Sequence, residues 1–142
     1  MYYAQVEFLR RYDENLFDDD IEAWQYGPVE PEVYRAYKGF GSGRIPRHGS
    51  APPMPTRAEA VVRRVAETYG KMSAFDLVTL SHREGGAWAM AYSPERNRVI
   101  SNEAIKASDD MTDSSGYRRT LKNGIDEAFA SIPNALRLLE NS

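Results

Sequence analysis

Four large aromatic side chains, Trp24, Tyr26, Tyr34 and Tyr37, fall within fourteen residues and bracket the pair Gly27-Pro28. This crowding constrains the chain more than any other feature. Each ring brings a large apolar area together with a polar tip that needs a partner. Gly-Pro is a strong turn signal. Ile21 to Tyr26 alternates loosely and reads as an extended segment. Beyond the turn, Pro31 suits the first helical position, where its missing N–H costs nothing. Glu30 and Glu32 favour the helix N-terminus by charge. Val33, Tyr34 and Tyr37 then share one helical face. The spacing predicts an extended segment, a tight turn at Gly27-Pro28 and a short helix. The aromatics are expected to pin both arms to one core, with Trp24, Tyr26, Tyr34 and Trp88 mostly buried.

The rest of the chain supplies helices to pack against this stretch. Tyr2 to Tyr12 has helical spacing, with Tyr2, Tyr3, Val6, Phe8 and Leu9 inward. Asp13 to Asp20 is a polar loop. Gly39, Gly41 and Gly43 end the Pro31 helix, and Gly41 to Pro55, with four prolines and three glycines, is the linker-like stretch. Thr56-x-x-Glu59 reads as a capping box opening a helix that carries Ala58, Val61, Val62, Val65, Ala66 and Tyr69 inward and closes at Gly70. Ser73-x-x-Asp76 opens the next in the same way, with Leu77, Val78 and Leu80 as core. Ser93-Pro94 ends the segment that starts at Ala87. Val99-Ile100 is a short extended piece suited to pairing with Ile21 to Tyr26, and Ser101 caps a helix over Asn102 to Ala107. Tyr117 to Ile132 and then Ala135 to Leu139 read as further helix. The expected fold is mainly α: a compact single-domain helical fold with a small extended pair.

At 142 residues, one domain is expected. Residues 1–107 form its body, and 108–142 a C-terminal helical extension packed on it. The chain has no cysteine, which excludes disulfides, thiol catalysis and thiolate metal sites. A net charge of −3 gives no overall basic field for nucleic acid. The charge is uneven: Asp13 to Glu32 holds eight acidic residues and no basic one, whereas Val33 to Arg64 holds seven Lys/Arg against Glu59 alone. No signal peptide shows at Met1 and no apolar run approaches membrane-spanning length, so a cytoplasmic protein is expected.

The segment Ala23-Trp24-x-Tyr26-Gly27-Pro28-Val29-x-Pro31-Glu32-Val33-Tyr34 resembles the hallmark of the Panacea domain family, which comprises SocA-like antitoxins and prophage-associated proteins. A second block resembles the family too: the Leu-rich helix Leu77-Val78-Thr79-Leu80 running into His82-x-Glu84 and then Trp88. A third is Val99-Ile100-Ser101-Asn102-Glu103-x-Ile105-Lys106. The three blocks lie in order between about Tyr3 and Lys106. In the family, more helical sequence precedes the counterpart of Tyr2-Tyr3-Ala4-Gln5, so the N-terminal helix is expected to be truncated here. The resemblance implies structural motif residues at Trp24, Tyr26, Gly27, Pro28, Pro31, Tyr34, His82, Glu84 and Trp88. It also implies an antitoxin that neutralises a cognate protein toxin by direct binding, or a proteolytic adaptor of the SocA type that delivers its toxin to a protease. The alternative is a nucleic-acid-binding regulator of a prophage or toxin–antitoxin locus, supported by the basic region from Arg35 to Arg64.

Chemistry-bearing patterns are scarce. Asp18, Asp19, Asp20 and Glu22 lack the spacing and glycine of a calcium loop. Gly39-x-Gly41-x-Gly43 lacks the preceding strand and the Lys-Ser/Thr of a nucleotide loop. His82 and Glu84 invite a catalytic reading, but no nucleophile–base pair accompanies them, and His82 with scattered carboxylates has no metal-ligand spacing. The favoured reading places His82 at a helix C-terminus, bonding carbonyls left over there. No enzyme activity, cofactor or metal is therefore expected. The remaining candidates form a partner-binding surface of Arg35, Lys38, Arg44, Arg47 and His48, flanked by Tyr37 and Phe40. Arg and Tyr are enriched at interfaces, and loops on a rigid scaffold often carry recognition.

Overall fold

The computed structural model describes residues 1–46 and 51–112. Arg47 and His48, the helix expected over Tyr117–Ile132 and the apolar turn after it lie outside the described residues. The elements run α1 (Tyr2–Tyr12), β1 (Glu22–Trp24), β2 (Gly27–Val29), α2 (Pro31–Tyr37), α3 (Thr56–Tyr69), α4 (Ala74–Ser81), α5 (Ala87–Ala91), β3 (Arg98–Val99) and α6 (Asn102–Lys106). Short 3-10 turns follow α2 at Lys38–Phe40 and α6 at Asp109–Met111. The fold is mainly α, with a small antiparallel sheet of order β2-β1-β3.

Helix α1 is the central element. Its inner face buries Tyr2, Val6 and Leu9 against Ile21, Ala23, Ala87, Trp88, Ile100 and Ile105. Its other side buries Phe8 against Ala58 and Val61 of α3. Each Val, Leu, Ile or Phe among them contributes roughly 1.5–3 kcal/mol on burial. Gln5 is also buried on α1, and its amide is fully used. Nε2 donates to Asn102 Oδ1 at 2.9 Å and to the Phe17 carbonyl at 3.3 Å, while Oε1 accepts from the Leu16 and Phe17 N–H groups. One uncharged side chain thus ties α1 to the loop before β1 and to the start of α6.

The sheet forms as the alternation of Ile21–Tyr26 and the Val99-Ile100 pair predict, with one correction. The turn lies at Gln25-Tyr26, because Trp24 faces Gly27 and Ala23 faces Pro28 across the hairpin. Gly27 carries the positive φ, 128°, that closes it, a conformation that glycine adopts without steric cost. Pro28 stands on an edge strand, where its missing N–H removes no ladder bond. Strand β3 pairs with the other side of β1, and Ile100 N–H donates to the Ile21 carbonyl at 2.7 Å.

The two predicted capping boxes differ in outcome. At α4 both halves form: Ser73 Oγ accepts from Asp76 N–H, and the Asp76 carboxylate accepts from Ser73 N–H at 2.8 Å. The Ser73 hydroxyl also donates to Asp76, and these contacts hold its carboxyl below its ordinary pKa. At α3 the N-cap is Pro55, which has no side-chain acceptor, so the helix starts one residue earlier than Thr-x-x-Glu predicts. Glu59 then pairs with Arg63 at 2.8 Å.

Candidate partner-binding face

The first two motif blocks meet at the hairpin tip. Helix α4 ends at His82, whose ring lies against Trp88 with centroids 3.5 Å apart. His82 Nδ1 lies 2.7 Å from the Val78 carbonyl, and Nε2 lies 3.0 Å from the Gln25 carbonyl in the turn. Trp88 Nε1 donates to the Trp24 carbonyl at 2.8 Å. Two ring nitrogens from different elements thus hold two successive carbonyls of the tip. Beneath them Ser81 is buried under Gly27. The positive φ at Gly27 favours glycine, and a Cβ there would stand 3.0 Å from Ser81 Oγ, a tight contact. Tyr92 stacks on the far side of Trp88, with centroids 4.6 Å apart.

This arrangement grips the hairpin turn through two carbonyls. Ser81 Oγ approaches His82 Nδ1 at 3.1 Å, but Ser81 is 6% exposed and its hydroxyl also reaches the Val78 carbonyl at 2.9 Å. The other ring nitrogen is occupied by Gln25. A nucleophile–base pair needs a free face for substrate, and here the Gln25 carbonyl meets the second ring nitrogen. Glu84 is exposed, outside the contact between His82 and Trp88.

The burial expected of the aromatics holds for one of four. Trp88 is 6% exposed, Trp24 is half-buried, Tyr34 is 46% exposed and Tyr26 is 75% exposed. Strand alternation explains the difference. Ala23 faces the core, so its neighbour Trp24 faces the other way and meets the edge of Tyr34 at 4.9 Å. Its indole N–H donates to Glu22 on the same face at 2.7 Å. Tyr26 sits in the turn itself. Helix α2 buries only Pro31. It is held mainly at its N-terminus, where the buried Glu30 carboxylate accepts from the N–H groups of Glu32 and Val33. Tyr37, 42% exposed, packs on Phe40.

Tyr34 and Tyr37 lie next to Arg35 and Lys38 in sequence. Arg35, Lys38 and Arg44 are exposed. Arg35 pairs with Glu32 one turn earlier, whereas Lys38 and Arg44 have no acidic partner among the described residues. The cations of α3 are engaged elsewhere. Arg57 reaches Glu14 at 3.0 Å and lies over the Tyr12 ring, Arg63 reaches Glu59, and Arg64 approaches Glu7 at 3.7 Å.

Asp110 is a site residue that sequence reasoning missed. It lies in the acidic stretch after α6, within the part expected to be a C-terminal helical extension, and it is 3% exposed. Its carboxylate accepts from Tyr2 Oη at 2.5 Å, from the Ala87 N–H at 2.8 Å and from Arg83 at 2.9 Å. A buried carboxylate needs such a set of donors. The only sequence sign is Ser108, which caps this turn by accepting from Asp110 N–H at 3.2 Å.

No helix among the described residues is long and apolar enough to cross a membrane. No solved structure matches the chain. Antitoxin SocA of Caulobacter vibrioides (strain NA1000 / CB15N) is 33% identical over 110 residues, an alignment covering 68% of this chain. The chain spans 58% of the length of that relative. The family model described as antitoxin SocA-like, Panacea domain, matches residues 1–89, which hold both the hairpin and the His82–Trp88 clamp. The chain therefore belongs to the SocA-like antitoxin family that carries the Panacea domain.

Proposed function

We propose that the chain is an antitoxin that neutralises a cognate protein toxin by direct binding, using the hairpin tip and α2 as the contact face. The observation that carries this reading is the exposure of Tyr26, in the turn that His82 and Trp88 hold by its carbonyls, and of Tyr34 and Tyr37 on the α2 helix that follows. Aromatic anchors in a fixed position lose little entropy on binding and dominate interface energies. Lys38 and Arg44 stand beside them without acidic partners among the described residues, and Arg35 adds a fork suited to carboxylates. Arg47 and His48 follow Arg44 in sequence.

Regulation of nucleic acid finds less support. Helix α4, the second helix of the α3–α4 pair, reads Ala-Phe-Asp-Leu-Val-Thr-Leu-Ser and carries no cation. A recognition helix normally brings basic or amide side chains to base edges and phosphates.

The test is charge reversal, Lys38→Glu with Arg44→Glu, in cells co-expressing a candidate cognate toxin. Rescue should be lost. The melt should hold, because exposed substitutions usually change stability by less than about 0.5 kcal/mol. Rescue that survives the double change would remove the face from the reading. Loss of promoter binding with rescue intact would favour the regulator. Toxin half-life separates the two modes of neutralisation: delivery to a protease shortens it, and direct inhibition does not.

A further inference from the structure

We propose that Asp110 is a positioning residue for the partner-binding face, and that residues 108–112 are a latch whose displacement loosens the hairpin tip. The link to partner binding rests on the proposed function; the mechanical part stands on this chain alone. The argument is one of adjacency. Asp110 Oδ1 accepts from Arg83, the residue after His82. Asp110 Oδ2 accepts from the N–H of Ala87, the residue before Trp88. The carboxylate therefore fixes the chain directly beside each of the two residues that hold the tip carbonyls.

The corner between them is built to receive it. Gly85 has φ of 79°, and a Cβ there would collide with the Asp109 carboxylate. Gly86 would bring a Cβ to 3.4 Å from both Asp110 oxygens. Asp109 N–H donates to the Gly85 carbonyl at 2.9 Å, and Arg83 donates to the Asp109 carbonyl at 2.8 Å. On its other side the latch is anchored to α1, through Tyr2 Oη on the carboxylate and Arg10 on the Asp110 carbonyl at 2.7 Å. Ser108 Oγ lies 3.4 Å from Oδ2. These residues lie past the stretch 1–89 that the family model matches.

Asp110→Asn separates the donors. Oδ2 accepts from Tyr2, Ala87 and Ser108, so the amide NH2 is forced to the side of Arg83, where donor meets donor. Hydrogen exchange read by NMR on the isolated protein tests the latch. In Asp110→Asn, exchange of the Trp88 indole N–H and of the Gln25–Gly27 amides should rise about tenfold or more, while amides in the middle of α3 change less than about twofold, as local opening without global unfolding requires. Tyr2→Phe removes one donor from Oδ2 and keeps the ring; it should show the same pattern, smaller, and serves if Asp110→Asn does not fold. A uniform rise at the tip and in α3, or an unchanged tip in both variants, overturns the proposal and leaves Asp110 as a general anchor. The partner arm is separate: affinity for the candidate cognate toxin should fall in Asp110→Asn. If the tip loosens but affinity holds, the latch stands and the contact face is wrong.

Discussion

Tyr2 and Tyr34 are the same residue in two regions built on different terms. Tyr2 is 5% exposed on α1, its hydroxyl on Asp110 and its ring over the main core. Tyr34 is 46% exposed on α2, with its ring edge on Trp24. Helix α1 is contacted on two sides, by the sheet with α5 and α6 and by α3. Helix α2 buries only Pro31 and hangs from its Glu30 cap. The α1 region is stabilised by burial. The α2 region is stabilised by capping and by attachment to a clamped hairpin, which leaves its rings available to a partner. An aromatic side chain raises a core or an interface according to what lies opposite it, and among the described residues little lies opposite α2.

Substitutions sharpen this contrast. The largest effect is expected at Trp88, the one motif aromatic that belongs to the core. Trp88→Ala should cost about 3–5 kcal/mol in denaturant unfolding. A loss below about 1 kcal/mol would move Trp88 to the α2 class. Next is Gly27→Ala, which forces a side chain into positive φ and against Ser81. Strain of this kind costs of order 1–3 kcal/mol, read as a lowered melt with the fold retained. Glu30→Ala should cost about 1 kcal/mol, the usual value of a lost N-cap. The loss should fall on α2 protection while α1 amides stay protected. The smallest effect on stability is expected for Tyr34→Ala with Tyr37→Ala, under about 1 kcal/mol because neither side chain belongs to a buried core cluster. The same pair should abolish toxin rescue. A large stability loss here would erase the distinction between the two regions.

Much of the fold was legible. The periodicity of Tyr2–Tyr12, the Ser73-x-x-Asp76 box and the pairing of Val99-Ile100 with the Ile21 segment all emerge in the structure. Each rests on neighbours in sequence or on a single register, which local chemistry specifies. The placement of His82 at a helix end, bonding carbonyls, was legible for the same reason. The second carbonyl, from Gln25, was not, because it arrives from 57 residues away. The burial of Tyr26 and Tyr34 was misread because amphipathic spacing says which side chains share a face. It does not say whether another element covers that face.

Local sequence was enough to place the helices at Tyr2–Tyr12, Pro31–Tyr37, Thr56–Tyr69, Ala74–Ser81 and Asn102–Lys106, the cap of α4 and a short antiparallel pairing. It also carried the motif residues that identify the family. These follow from φ/ψ preference, capping groups and periodicity, all readable within a few residues. Only the tertiary structure decided that the first two motif blocks close on one hairpin tip and that α2 leaves its tyrosines outside. It alone turned Asp110 from a residue of an acidic loop into the buried partner of Tyr2, Arg83 and Ala87. The reason is that burial and the pairing of a charge depend on what is brought opposite, and here those partners lie 23 to 108 positions away in the chain.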